Sequence, residues 1–279
     1  MERKTGFWHN VVSVILGIYC LITIVLLLVV FISSFRPYAE TFKNIWSLPQ
    51  QFILTNYIYI FQHNFLTYFW NSLFVTVVSI VALLFLASLA AFGLGKYKFK
   101  GSGLLLGFFF LGAMFPAQVG IVPLFNIVTA FHLTNSLIGL IVIYASGLSI
   151  PVFILTNFMK TIPDSILESA RIDGAGTFRV YRQILVPLIM PAIGALIPLT
   201  AVGLWNDLFF PLVFINSTNL RTIPLGVLTY YSGRQGAMKM AQFGIIFAAI
   251  SVSILPMLIL YLAGSRYIIE GITTGAVKE

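Results

Sequence analysis

Side chains able to do chemistry are few in this chain, and most stand alone. His9, His63 and His132 are far apart, Cys20 is the single cysteine, and neither H-E-x-x-H nor G-x-S-x-G occurs. A metalloprotease or nucleophile–base arrangement therefore lacks its parts, and one cysteine excludes an internal disulfide or a cysteine metal cluster. No G-x-x-x-x-G-K-[ST] loop is present to cradle nucleotide phosphates. Acids cluster in one place, Lys160–Pro191, where Asp164, Glu168 and Asp173 alternate with Arg171, Arg179 and Arg182. Carboxylates so placed can make charge-assisted hydrogen bonds to a partner surface. A further acid, Asp207, ends an apolar run after Trp205 and Asn206, and an acid near a membrane span is a functional candidate by default.

The elements that must position these residues follow from composition. Of 279 residues 59% are hydrophobic and 9% charged, against about 25% charged in a soluble domain, so a water-soluble enzyme is excluded. No Asp, Glu, Lys or Arg lies between Lys43 and Lys96, Lys100 and Lys160, Arg182 and Asp207, or Lys239 and Arg266. Each gap holds at least one stretch of ~20 apolar residues, the length that crosses a bilayer. The chain is expected to be an all-α polytopic membrane protein with six transmembrane helices, about 11–33, 70–94, 104–128, 137–159, 185–210 and 242–263. Strands are not expected, since the runs lack barrel alternation. Val11–Ile32 is longer than a signal-peptide core and no A-x-A site follows, so it reads as a retained span.

Orientation follows from the basic residues. Arg3, Lys4, Lys96, Lys98, Lys100, Lys160, Arg171, Arg179, Arg182, Arg266 and Lys278 fall on one side, and Arg36, Lys43, Arg221, Arg234 and Lys239 on the other. Positive residues favour the cytoplasm, so both termini are expected inside. The net charge of +8 is accounted for this way; no basic run is interleaved with stacking aromatics, and no nucleic acid is expected as a partner. Aromatics of the long outer segments 34–69 and 211–241, among them Trp46, Tyr57, Tyr59, Tyr68, Trp70, Tyr230 and Tyr231, suit the water–lipid boundary. Prolines 116, 123, 151, 187, 191, 198 and 256 fall in the spans and bend helices. Gly103 and Gly107 form a G-x-x-x-G suited to close helix approach.

Within the inner loop, Pro163 suits a helix start, with Ser165 and Glu168 a capping box or the register opening at Thr161. Ile166, Ala170 and Ile172 give an apolar face, and Gly174 a stop. A second short helix, Thr177–Leu185, leads into the fifth span. The result is an exposed helix–turn–helix attached to two spanning helices.

These residues carry a resemblance. Glu168-Ser169-Ala170-Arg171-Ile172-Asp173-Gly174, nine residues, then Ile184, Val186 and Pro187, resemble the E-A-A-x-x-x-G-x(9)-I-x-L-P loop of ABC importer permeases. Ser169 and Val186 depart conservatively. Ile162-Pro163 and Asp173-Gly174-Ala175 resemble the carbohydrate branch. Asn71-Ser72-Leu73, Ala90-Ala91-Phe92 and Trp205-Asn206-Asp207 extend the likeness. The tail Gly271-Ile272-Thr273-Thr274-Gly275-Ala276-Val277-Lys278 resembles the G-type subunit of maltose and multiple-sugar systems.

The resemblance implies a type I ABC importer permease fold in one domain, 1–279: a first helix 11–33, a five-helix core 70–263, a coupling loop 161–184 and a tail 264–279. It implies a bacterial plasma membrane location and four kinds of partner: a second homologous permease, two copies of an ATPase, an extracytoplasmic sugar-binding protein and the carbohydrate itself, within the lipid bilayer. No cofactor or metal is expected on this chain; ATP and magnesium belong to the ATPase. Coupling is assigned to Glu168, Ser169, Ala170, Asp173, Gly174, Ala175, Ile184 and Pro187. A sugar pathway of stacking and hydrogen-bonding groups is assigned to Trp205, Asn206, Asp207, Asn126 and Tyr144, with Asn157 also available, and contact of the tail with the ATPases to Thr274 and Gly275. The 211–241 loop is expected to reach toward the binding protein.

Three other readings are weighed. An intramembrane protease lacks a nucleophile and base in the spans. A standalone secondary carrier has no use for the 163–187 loop and would place charges deep in the spans. A permease for glycerol-3-phosphate or another small polar solute shares the permease type, but a phosphate ester calls for cavity cations.

Overall fold

The computed structural model describes residues 7–37, 40, 44, 46–232 and 243–276; of these, 7, 117, 231–232 and 265–276 are described by backbone alone. All regular elements among them are helical. In chain order they are α1 (Phe7–Ser33), α2 (Thr55–Gln62), α3 (Phe65–Lys96), α4 (Ser102–Met114), α5 (Ile121–Ala130), α6 (Leu137–Ala145), α7 (Ser149–Thr161), α8 (Asp164–Ile172), α9 (Thr177–Val180), α10 (Val186–Trp205), α11 (Phe209–Phe214), α12 (Ile223–Ser232) and α13 (Phe243–Ala276).

Four helical stretches are long and apolar enough to cross a membrane: Trp8–Ser33, Phe65–Lys96, Thr177–Trp205 and Phe243–Gly264. Two bent pairs raise the number to six, α4 with the helical turn and α5 after it, and α6 with α7, the latter bent by 43°. The expected six spans are therefore accommodated, with different edges. The third breaks at Phe115–Pro116, both extended, because proline carries no N–H for the ladder and disfavours helix at the residue before it. The expected 242–263 span does not end there: its helix runs on to Ala276. Pro191, Pro198 and Pro256 are all carried inside continuous helices.

The chain divides into two compact units, Met1–Leu66 with Gly226–Leu255, and Thr67–Leu225 with Pro256–Glu279. In the first, the segment after α1 is tied down by polar side chains. Asn56 Nδ2 donates to the carbonyls of Ser34 and Arg36 at 2.8 and 3.0 Å. Ser34 Oγ and Tyr57 Oη are 2.6 Å apart, and the Tyr230 hydroxyl donates to His63 O at 2.7 Å. Gly244 is required at its site, because a Cβ there would stand 2.5 Å from Asn56 Nδ2. Tyr230 is thus buried protein packing, as is Tyr68, whereas Trp46 and Trp70 are exposed as expected of boundary aromatics.

The second unit holds the main core. Ile80, Leu84, Ala87, Ala91 and Phe92 of α3 pack with Val152, Leu155 and Met159 of α7 and with Ile189, Ala192 and Leu196 of α10. Close approach occurs at Gly95, where a Cβ would lie 3.0 Å from Met159 Cβ. Gly103 and Gly107 have open space around them; the expected G-x-x-x-G contact is absent, and α4 packs on α7 with Gly112 against Ser149 instead.

Candidate functional site

The loop between α7 and α10 is built on that core. Asp164 opens α8 directly after Pro163, and no side chain caps the helix; the Ser165–Glu168 capping box is not formed. Ser165 serves instead as a carbonyl acceptor for Ser169 Oγ at 2.9 Å. Leu167 and Ala170 are the buried face, joined to the core with Ile162, while Ile166 is partly exposed and Ile172 is 86% exposed. The expected apolar face is therefore turned by about one position. Leu167 precedes Ala170 by three residues and Ile166 by four, and both separations lie on one helix face.

α8 closes in a Schellman motif. Ala175 N donates to Ala170 O at 2.9 Å and Gly174 N to Arg171 O at 3.0 Å. Gly174 has φ +79°, the left-handed conformation that this turn requires and that glycine adopts without steric cost. The chain then re-enters helix at Thr177, passes through a π-helical turn at Tyr181–Leu185 and continues as α10. Tyr181 is fixed in the core by a 2.7 Å hydrogen bond with Ser88 Oγ. Ile184 is half-buried against the core and Pro187 lies exposed in the first turn of α10.

The base is buried while the tip is exposed. Glu168 and Asp173 are exposed and neither side chain makes a hydrogen bond or ion pair among the described residues; Ile172, next to Asp173, is also exposed, as is Phe178 on α9, 69% exposed. Carboxylates flanked by unburied apolar side chains form a surface suited to a protein partner. Sequence places Ile172 on the apolar face of α8 and leaves Phe178 unmarked, because exposure of an isoleucine or phenylalanine leaves no mark in composition.

At the start of α8, the Lys96 side chain is 2% exposed, ion-pairs with Asp164 Oδ1 at 2.8 Å and donates to Ile162 O. The hydrogen bond and charge of Lys96 hold the Asp164 carboxyl below the usual carboxylate range.

The residues assigned to a pathway separate into two sets. Tyr144 Oη donates to Asp207 Oδ2 at 2.6 Å, while Asp207 accepts the N–H groups of Phe209 and Phe210 at 3.0 and 3.3 Å. Asp207 therefore caps the start of α11. Trp205 is buried, edge-on to Phe69, and Asn206 donates to its own helix at Val202 O. Asn126 is exposed on α5, apart from this cluster in the hydrogen-bond network. The segment after α11 is held by Asn135, whose Oδ1 accepts from Asn216 N and Ser217 N, and by Asn71, which donates to Asn219 O and Arg221 O. Thr274 and Gly275 lie in the helical backbone of α13, and Lys278 lies outside the described residues. No group of three or more His, Cys, Asp or Glu able to hold a metal occurs among the described residues.

This architecture is that of a polytopic membrane protein, with four to six helical spans. Residues 84–269 match the binding-protein-dependent transport system inner membrane component family, and the chain belongs to it. It is a multi-pass component of the bacterial plasma membrane, and the family implies in general a partner permease, an ATPase and a substrate-binding protein. Among relatives, the chain is 31% identical over 283 residues to the multiple sugar-binding transport system permease protein MsmG of Streptococcus mutans, covering 99% of each. It is 31% identical over 252 residues to the arabinooligosaccharides transport system permease protein AraQ of Bacillus subtilis, covering 88% of each. The fold is that of a chain in a bacterial ABC transporter that imports alginate, with TM-score 0.81 at 23% identity, covering 96% of this chain and 98% of the other.

Proposed function

We propose that this chain is one of two permease subunits of an ATP-driven importer for a carbohydrate, an oligosaccharide by likeness to the MsmG and AraQ relatives. The observation that carries the coupling reading is the α8–Schellman turn–α9 unit, fixed at its base by Leu167, Ala170 and Tyr181 and presenting Glu168, Asp173, Ile172 and Phe178 outward. On this reading ATP and magnesium sit in two ATPase subunits below. Their closure displaces the unit, and the attached helices switch the pathway between inward and outward access, a rocking of rigid parts about a central site. Both termini lie on the ATPase side, and α13 brings Thr274 and Gly275 toward it.

The roles within the coupling unit follow its geometry. Glu168 supplies a carboxylate to the ATPase, Gly174 with Ala175 shapes the turn, exposed Ser169 allows close approach, and buried Ala170 holds the unit to the core. Ile184 and Pro187 seat the unit on the fifth span. In the pathway, the engaged oxygens of Asp207 favour a role in positioning α11, leaving Asn206, Asn126 and Asn157 as the exposed amides for sugar hydroxyls. The decisive experiment is reconstitution of this chain with the permease, ATPase and binding protein of its operon, followed by uptake of labelled oligosaccharides. ATP-dependent uptake supports the reading; uptake by this chain without ATP or partners overturns it.

A further inference from the structure

A cavity of about 330 Å³ opens where the basic ends of α3, α4 and α7 meet, and Lys96, Lys98, Ser102, Gly103, Lys160 and Asp164 contribute to its wall. Three lysines and one aspartate share that wall. Lys96 is spent on that carboxylate and on Ile162 O. Lys98 and Lys160 are exposed and make no hydrogen bond or ion pair among the described residues, and the first turn of α4 has no side-chain cap. The cavity therefore presents two lysines free of ion pairs among the described residues, with its own acid already paired to Lys96.

What opens from it is apolar. Leu104, Phe108 and Leu111, spaced i, i+4 and i+7 along α4, are 82%, 68% and 55% exposed, forming one stripe that leads away from the cavity into the span. A ligand matching both halves carries an anionic group on an alkyl chain. We propose that this cavity binds the phosphate of an anionic phospholipid, with Lys98 and Lys160 as its charge partners and the α4 stripe receiving an acyl chain. Free phosphate satisfies the lysines but not the stripe, and basic pockets between spanning helices at the bilayer surface are suited to anionic headgroups. The site is independent of the solute transported.

The test uses the full chain purified with its importer partners in nanodiscs of phosphatidylcholine mixed with phosphatidylglycerol, with retained lipid measured by native mass spectrometry. Phosphatidylglycerol is expected to be enriched. Enrichment should fall about fivefold for each lysine neutralised in Lys98→Gln and Lys160→Gln. The Lys98→Arg/Lys160→Arg variant should keep it, which separates loss of charge from loss of fold. Inorganic phosphate should not displace the lipid. Undiminished enrichment in the double glutamine variant, or displacement by inorganic phosphate, would overturn the proposal. So would protection of both lysines from acylation by a partner subunit in lipid-free detergent.

Discussion

Lys96 Nζ and Asp164 Oδ1 lie 2.8 Å apart, joining the last residue of α3 to the first of α8 across 68 positions of sequence. The pair is asymmetric in exposure, 2% for the Lys96 side chain and 68% for that of Asp164. Lys96 is the member that cannot be replaced cheaply, since removing it also leaves Ile162 O without this donor. Lys96→Met should therefore lower both the unfolding temperature and sugar uptake, while Asp164→Asn should lower them less. Equal effects of the two substitutions would contradict this ordering.

The pH dependence of the pair has a definite sign. Asp164 ionises more readily in the folded protein than in the unfolded chain, so its contribution is complete above the unfolded value of about 3.9 and is lost as pH falls through the lower folded value. The stability difference between wild type and Asp164→Asn should be constant from about pH 5 to neutrality and should shrink only below about pH 4. Thermal unfolding of both proteins across that range checks it; a difference that vanishes near neutral pH would exclude this origin.

Glu168→Ala should abolish uptake with membrane insertion and unfolding temperature unchanged, because the exposed carboxylate makes no hydrogen bond or ion pair among the described residues. Gly174→Val should fail differently, since a side chain at φ +79° costs at least about 1–2 kcal/mol and the Schellman turn must deform. ATPase activity of the assembled importer distinguishes them: both variants should hydrolyse ATP without transport, but only Gly174→Val should loosen proteolytic protection of the 172–178 turn.

Asp207 and Tyr144 offer a comparison between positioning and substrate contact. Asp207→Ala removes the cap of α11, costing about 1 kcal/mol, and strands the buried Tyr144 hydroxyl, about 1–3 kcal/mol more. Tyr144→Phe removes only one bond and should be milder, and the double variant should lose less than the two losses combined. Strict additivity, or a rise in the KM for sugar without loss of stability in Asp207→Ala, would instead make Asp207 a substrate contact.

Asn135 should govern the order of the segment that follows α11. Its amide makes three hydrogen bonds to Asn216 and Ser217, so Asn135→Ala should raise hydrogen exchange at those two amides by about an order of magnitude per 1.4 kcal/mol lost. Unchanged exchange there would show that Asn71 alone holds the segment.

The charge-free gaps revealed the spans because only helices satisfy the backbone in lipid, and Gly174 revealed its turn because few residues tolerate that φ. What stayed hidden has common causes. Apolarity marks residues suited to lipid, yet the hydrogen-bond ladder of α13 continues past it to Ala276. In an apolar helix, lipid-facing and protein-facing positions look alike, so Gly95 and Gly112 could not be told from Gly103 and Gly107; on short α8, Leu167 and Ile166 are both at helical spacing from Ala170. The Lys96–Asp164 and Asn135–Ser217 pairs join residues 68 and 82 positions apart, and no local spacing announces them. Glu168 was legible through a motif, whereas the exposure of Phe178 was legible only in three dimensions.

One consequence lies in the 29 helical residues from Thr177 to Trp205. At 1.5 Å per residue they make a shaft about 43 Å long, interrupted only by the π-helical turn at Tyr181–Leu185. A π turn holds one residue more than the α-helix around it. Passing that surplus along the shaft turns the residues it crosses by about 100° while the two ends keep their places. A stretch of α10 can thereby present a different face to its neighbours without moving Phe178 or Trp205.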